Sequence, residues 1–140
     1  ALAVIVYAYM SSQRVKLWET TDSLFADAYK SSDNCCYYSA YKLGYLAQRE
    51  NKHELSMSYF QQCVDKNERF SKGWSALAVG YARNGDLKTA ESHFKKALSI
   101  HATLAEAWFN LGHLYRIQGK AELSEESYQK AAQLDSKFRR

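Results

Sequence analysis

The sequence has few residues of the kinds that catalyse reactions or bind metals, and their spacing forms no known set. It contains three cysteines and four histidines. Neither the C-x2-C nor the H-x3-H spacing of a zinc site occurs. No phosphate-binding glycine loop, H-E-x-x-H or G-x-S-x-G motif is found. We therefore expect no catalytic residue, no metal, no cofactor and no small-molecule substrate, and predict that the protein is not an enzyme.

The cysteines and the first ten residues bear on the expected compartment. Cys35 and Cys36 are adjacent in sequence and are not expected to bridge each other, and Cys63 stands alone. Free thiols are typical of a reducing compartment, so we predict a cytoplasmic location. Residues 1–10, ALAVIVYAYM, carry no charge. We interpret them as a helix of a leading repeat; the alternative is the end of a membrane anchor or signal segment.

Composition favours a folded, helical chain. The 140 residues suffice for one domain or one short repeat array. Hydrophobic residues make up 46%, and the complete lack of proline favours long helices. The formal net charge of +4 is mild. It allows acidic partners without requiring nucleic acid.

One pattern recurs at a fixed interval of 34 residues. Its first half, W-x2-L-G-x2-Y, is followed by a turn glycine and then by a second half of small and aromatic residues. The last copy comprises Trp108, Leu111, Gly112, Tyr115, Gly119, Ser124, Tyr128 and Ala131. The middle copy comprises Trp74, Leu77, Ala78, Tyr81, Gly85, Ala90, Phe94 and Ala97. The first copy keeps Leu43, Gly44, Ser56, Phe60 and Cys63, with Ala40 and Ala47 in place of Trp and Tyr.

This pattern resembles the tetratricopeptide repeat, a helix–turn–helix unit of about 34 residues. The resemblance implies an all-α fold, a right-handed superhelix of antiparallel helix pairs. It divides the chain into a divergent leading helix pair at 1–36 and repeats at 37–70, 71–104 and 105–138. The proline that closes the family's repeat is absent, and Glu68, Ala102 and Ser136 stand in its place. The turns between repeats must therefore be formed in another way.

The pattern and its turn residues predict six helices after residue 34. We place them at about 35–49, 53–66, 72–83, 87–100, 104–117 and 120–134. Asp86 is predicted to cap the fourth, and Thr103 with Glu106 to form a capping box before the fifth. Gly44, Ala78 and Gly112 are predicted to be small because the paired helix crosses close to them; at Gly112 we expect the region of Ser124 and Ala131.

The resemblance also implies a function, a scaffold or adaptor that binds a partner peptide or helix in a groove lined by the first helix of each repeat. The predicted binding residues are Tyr38, Tyr41, Tyr45, Lys72, Arg83, Phe109, Asn110, His113 and Arg116. Lys72, Arg83 and Arg116 would make the floor basic, so the ligand is expected to carry acidic residues beside an apolar anchor. In the alternative interpretation, Tyr41 and Tyr45 only pad the junction with the leading helices.

Some family members hold a chaperone's C-terminal carboxylate with a Lys–Asn–Asn–Lys–Arg set. Here the same positions are occupied by Tyr41, Tyr45, Ala76, Glu106 and Asn110, so this clamp is not expected.

Other functions left open are an RNA-binding array of the pentatricopeptide type, which residues 74–96 also resemble, and a membrane-anchored assembly factor. Nucleic acid is not the favoured partner, since the charge is modest. Self-association is predicted through apolar residues of an uncapped last helix, namely Leu123, Tyr128, Ala132 and Leu134.

Overall fold

The computed structural model describes residues 37–139, which form six α-helices and one short 3-10 turn. The helices are α1 Tyr37–Arg49, α2 His53–Lys66, α3 Ser71–Arg83, α4 Leu87–Ile100, α5 Ala105–Ile117 and α6 Ala121–Leu134, followed by the 3-10 turn Ser136–Phe138. The six predicted helices are confirmed, and their ends agree to within one residue, except that the predicted start of the first, at about residue 35, lies outside the described residues. The predicted leading pair, 1–36, lies outside the described residues.

The helices stack as an α-solenoid of antiparallel pairs. α1 packs on α2, α3 on α4, and α5 on α6, while α2 also contacts α3 and α4 contacts α5. No strand occurs between residues 37 and 139. None of these helices combines the length and apolar character needed to cross a bilayer. The fold class is therefore the predicted one; the boundaries between the repeats stay predictions.

Within each pair, the two helices cross at a position where only a small residue fits. A Cβ atom added at Gly44 would lie 2.4 Å from the Phe60 ring, and one at Gly112 would lie 3.0 Å from the Tyr128 ring. The close approach predicted at Gly112 is confirmed, and the nearest atoms belong to the Tyr128 ring and the Ser124 carbonyl.

At each of the two glycine crossings, a buried serine hydroxyl joins the paired helices. Ser56 Oγ donates to the Gly44 carbonyl at 2.8 Å, and Ser124 Oγ donates to the Gly112 carbonyl at 2.9 Å. Both serines are buried. In the middle pair the equivalent residues are Ala78 and Ala90, which bury fully without this hydrogen bond.

The turns between pairs are closed by tryptophan rather than by proline. Trp74 Nε1 donates to the Glu68 carbonyl at 2.8 Å, and Trp108 Nε1 donates to the Ala102 carbonyl at 2.8 Å. Glu68 and Ala102 are the residues that occupy the place of the family's proline. The indole therefore satisfies a carbonyl of the turn and fixes where the next pair begins.

The predicted cap of α4 is confirmed, and the predicted cap of α5 is not. Asp86 caps α4 by accepting a hydrogen bond from the Thr89 backbone N–H at 3.1 Å. The capping box of Thr103 and Glu106 is wrong, because α5 begins after Leu104 and no side chain caps it. Leu104 is buried in the core, so packing of this leucine, rather than a cap, sets the first turn of α5.

Candidate functional site

The first helices of the three pairs, α1, α3 and α5, present equivalent stripes to one side of the array. Each stripe consists of four residues spaced by four, three and four positions, which places them on one helix face. The α1 stripe is Tyr38, Lys42, Tyr45 and Arg49; the α3 stripe is Lys72, Ala76, Val79 and Arg83; the α5 stripe is Glu106, Asn110, His113 and Ile117. Members of different stripes recur 34 residues apart.

Three adjoining cavities lie over these stripes, and Arg83 borders all of them. The central one, of about 220 Å³, is lined by Tyr45, Gln48, Ala76, Val79, Arg83, Glu106 and Asn110. Another, of about 530 Å³, extends over α1 and the start of α2, and a third, of about 380 Å³, extends towards His113 and Ile117. We call the three together the groove.

Four of the nine predicted binding residues line this groove, namely Tyr45, Arg83, Asn110 and His113. They come from all three first helices, as the prediction required. Tyr45 is 39% exposed although its ring packs on Phe60 at 5.2 Å. One face of Tyr45 therefore belongs to the core while the rest is open to a ligand.

Tyr38 and Tyr41 lie beside the groove in an aromatic cluster. Their rings are 6.1 Å apart, and the Tyr41 ring meets Phe70 edge-on at 5.0 Å. Tyr41 is half-buried, and its hydroxyl donates to the Tyr45 hydroxyl at 3.5 Å, a long contact. Tyr41 therefore joins α1 to the next pair and orients Tyr45, while the junction with the leading helices, at which the alternative placed it, lies outside the described residues.

Phe109, Lys72 and Arg116 are placed differently from the four lining residues. The Phe109 ring packs on Tyr128 at 5.4 Å and on Phe138 at 5.0 Å, away from the groove lining. Lys72 is exposed on the first turn of α3. Arg116 is exposed too, and its Nη2 lies 3.1 Å from His113 Nε2, at the edge of the groove.

The same aromatic arrangement occurs at both ends of the described array. Tyr41 with Phe60 and Phe70 at one end corresponds, two periods later, to Phe109 with Tyr128 and Phe138 at the other. Tyr128 was among the apolar residues of the last helix through which self-association was predicted, but its side chain is buried. Leu123 and Leu134 of α6 are exposed as predicted.

Glu106 is a groove residue that the sequence-based set omitted. It is exposed on the first turn of α5 and lines the central cavity beside Asn110 and Tyr45. The signal was present in the 34-residue register, because Glu106 is equivalent to Lys72 and Tyr38, both of which were selected. Glu106 was instead predicted to cap α5, so it was not selected as a binding residue.

The electrostatics of the central cavity combine phenols, one carboxylate and one guanidinium. Burial raises the pKa of both Tyr41 and Tyr45, and the negative charge of Glu106 raises both further. Within residues 37–139, neither Arg83 nor Glu106 forms a salt bridge. Both charges are therefore open to a ligand that enters the cavity.

Models of one known protein family match the six described helices. Family models described as tetratricopeptide repeat match residues 37–68, 71–114 and 105–138. The chain belongs to the tetratricopeptide repeat family. A solved structure described as "First TPR of Spaghetti (RPAP3) bound to HSP90 peptide SRMEEVD" superposes with a TM-score of 0.68 at 16% identity, covering 71% of this chain and 79% of that one.

Curated tetratricopeptide relatives are much longer than this chain. Tetratricopeptide repeat protein 37 of Xenopus laevis is 32% identical over 108 residues, 73% of this chain and 7% of that protein. Heat shock protein STI1 of Saccharomyces cerevisiae is 30% identical over 105 residues, 74% of this chain and 18% of that protein. The chain thus spans less than a fifth of either relative.

Proposed function

We propose that this tetratricopeptide array is a non-enzymatic scaffold or adaptor that holds a segment of a partner protein in the groove. The observation that carries the proposal is the central cavity, because side chains from α1, α3 and α5 converge on it. A surface shared by three units offers a ligand a continuous track. The structural neighbour that is described with a bound peptide supports a peptide or helix as the ligand.

The chemistry of the lining also suits a protein segment. Tyr45 supplies rigid aromatic area, Val79 and Ala76 supply apolar floor, and Arg83 and Asn110 supply directed hydrogen bonds. Aromatic residues and arginine are enriched among the residues that dominate binding energies. Because Arg83, Arg49 and Lys42 line the cavity over α1, we propose that an acidic side chain of the partner binds in that cavity.

A matched pair of double variants tests the groove. Arg83→Ala with Asn110→Ala removes a cation and an amide from the groove. Lys96→Ala with Gln133→Ala removes the same two chemical groups from exposed positions on α4 and α6. The readout is the set of proteins captured from an extract by each immobilised variant, with circular dichroism to check folding.

Proteins that bind in the groove are expected to be lost with the first variant and kept with the second. Capture that is unchanged by the groove variant, or that falls equally with both folded variants, would contradict the proposal. An RNA ligand instead predicts a steep linear fall of log affinity with log salt concentration, since phosphate contacts release counterions.

A further inference from the structure

Two charged residues, Glu106 and Arg83, line the central cavity, and its remaining lining residues are aromatic or neutral. Glu106 lies there with Tyr45, Asn110 and Ala76, while Arg83 borders the same cavity. Burial raises the pKa of both Tyr41 and Tyr45, and the negative charge of Glu106, which lines the same cavity as Tyr45, raises the pKa of both further. A carboxylate beside phenol rings is a favourable environment for a cation, which gains from the charge and from the ring faces.

We infer that Glu106, Tyr45 and Asn110 form a subsite for a lysine or arginine side chain of the partner segment. The subsite deepens the proposed function and rests on it. Asn110 supplies an amide oxygen that accepts a hydrogen bond from an ammonium or guanidinium group, and the small Ala76 leaves room for a long side chain. An acidic side chain is excluded from this point by repulsion from Glu106.

The subsite gives the groove two separate points of opposite charge, at Glu106 and at Arg83. Within the described residues Glu106 and Arg83 do not pair with each other, so each keeps its charge for the ligand. A partner segment is therefore expected to carry a basic residue over Glu106 and an acidic residue over Arg83. Opposite charges at two fixed points also fix the direction in which the segment lies, since reversal would set like charges together.

Charge reversal at Glu106 tests the subsite, and the chain offers a closely matched control. Glu106 and Glu122 are both exposed and both are the second residue of their helix, α5 and α6. Lysine at either position meets the same unfavourable helix dipole, so the two variants should lose similar stability. Of these two glutamates, only Glu106 lines the central cavity.

The experiment selects binders from a library of random short peptides displayed on phage, using four immobilised proteins. These are the unmodified chain, Glu106→Lys, Glu122→Lys and the double variant Arg83→Ala with Asn110→Ala. The unmodified chain and Glu122→Lys are expected to enrich peptides with one shared lysine or arginine position. Glu106→Lys should bind those peptides roughly tenfold more weakly and should select an acidic residue at that position.

Two other outcomes would overturn the inference, and they differ in what they leave standing. If the unmodified chain enriches peptides that the double groove variant loses, but these have no basic position sensitive to Glu106→Lys, the subsite is refuted and the groove function stands. If no enriched peptide is lost with the double groove variant, the proposed function itself is refuted, and the subsite with it.

Discussion

The crossing of α1 over α2 gives the sharpest prediction for stability. A methyl group at Gly44 would lie 2.4, 2.6 and 2.9 Å from three atoms of the Phe60 ring, which is only 2% exposed and cannot move away. At Gly112 the nearest atoms lie at 3.0 Å in the Tyr128 ring and 3.2 Å in the Ser124 backbone carbonyl. The same substitution to alanine should therefore cost more at Gly44 than at Gly112.

Two opposing effects set the magnitude. Alanine stabilises a helix interior by about 1 kcal/mol relative to glycine. Forcing an extra methyl into a packed contact costs about 1–3 kcal/mol. Because the overlap at Gly44 is severe, overpacking should prevail, with a net loss of about 1–2 kcal/mol. At Gly112 the neighbours need to move by only a few tenths of an ångström, so the net change should lie near zero, whereas Gly112→Leu should cost roughly 1–3 kcal/mol or more.

The middle pair shows how alanine is accommodated, and it suggests a double-mutant cycle. Ala78 stands opposite Ala90, where the outer pairs have glycine opposite serine. The hydroxyl of Ser56 bonds the Gly44 carbonyl at 2.8 Å and holds the helices together. Replacing Ser56 by alanine should release this tie, so Gly44→Ala should cost less in that background, with a coupling of about 0.5–1 kcal/mol.

Urea denaturation followed by circular dichroism measures the free energy of unfolding of the wild-type chain, both single variants and the double variant. A Gly44→Ala variant as stable as the wild type would refute the contact with Phe60. Strict additivity of Gly44→Ala and Ser56→Ala would refute the coupling through the serine. Either result would mean that the two helices adjust at this crossing more easily than a packed interior allows.

Three further predictions concern contacts within and between the helix pairs. Hydrogen bonds from Lys95, and after it Lys120, hold the pKa of Glu91 at about 2. The ionised carboxylate therefore stabilises the fold fully above about pH 4.5, and this stabilisation is lost as the pH falls towards 2. Glu91→Gln should remove this pH dependence and, because the lysines are exposed, should lower the free energy of unfolding by roughly 1 kcal/mol in urea titrations at neutral pH. Burial lowers the pKa of His93, so stability should decrease as the pH falls below about 6.5, and a His93→Gln variant should not show that step in thermal melts. Trp108→Phe keeps a ring but loses the indole hydrogen bond to the preceding turn, and its unfolding free energy should fall by about 1 kcal/mol; an unchanged value would mean that this bond does not close the turn.

The fold could be predicted from the sequence because its determinants are local and repeated. Helix ends follow from the turn residues, and three positions one period apart, Asn51, Gly85 and Gly119, all have positive φ as the turn within each pair requires. The cap of α5 was predicted wrongly because its first turn depends on Leu104, which is buried against residues distant in the sequence. A capping motif is a weaker signal than a buried leucine.

The groove was predicted less completely than the fold, since its residues are defined by tertiary contacts. Phe109 is a residue type typical of a binding anchor, yet Phe138 and Tyr128 cover its ring. Nothing within α5 itself indicates this, because Phe138 lies in the 3-10 turn beyond α6. Conversely, Glu106 reads as a helix-capping residue until the neighbouring helices place it at the central cavity.

Comparison of the three units with one another separates the positions that build the array from those that are free to bind. At the crossings the residues are Gly44, Ala78 and Gly112, all of them small, and at the two glycines an added methyl group would meet an aromatic ring. At the first position of the stripes, which is Tyr38, Lys72 and Glu106, the three units differ in size and in charge, and all three side chains are exposed. Exposed substitutions usually change stability by less than about 0.5 kcal/mol, so packing does not determine which residue stands there. The charges along the stripes of α1, α3 and α5 can therefore vary without affecting the fold. Substitutions at the exposed positions of these stripes should change binding specificity without loss of structure.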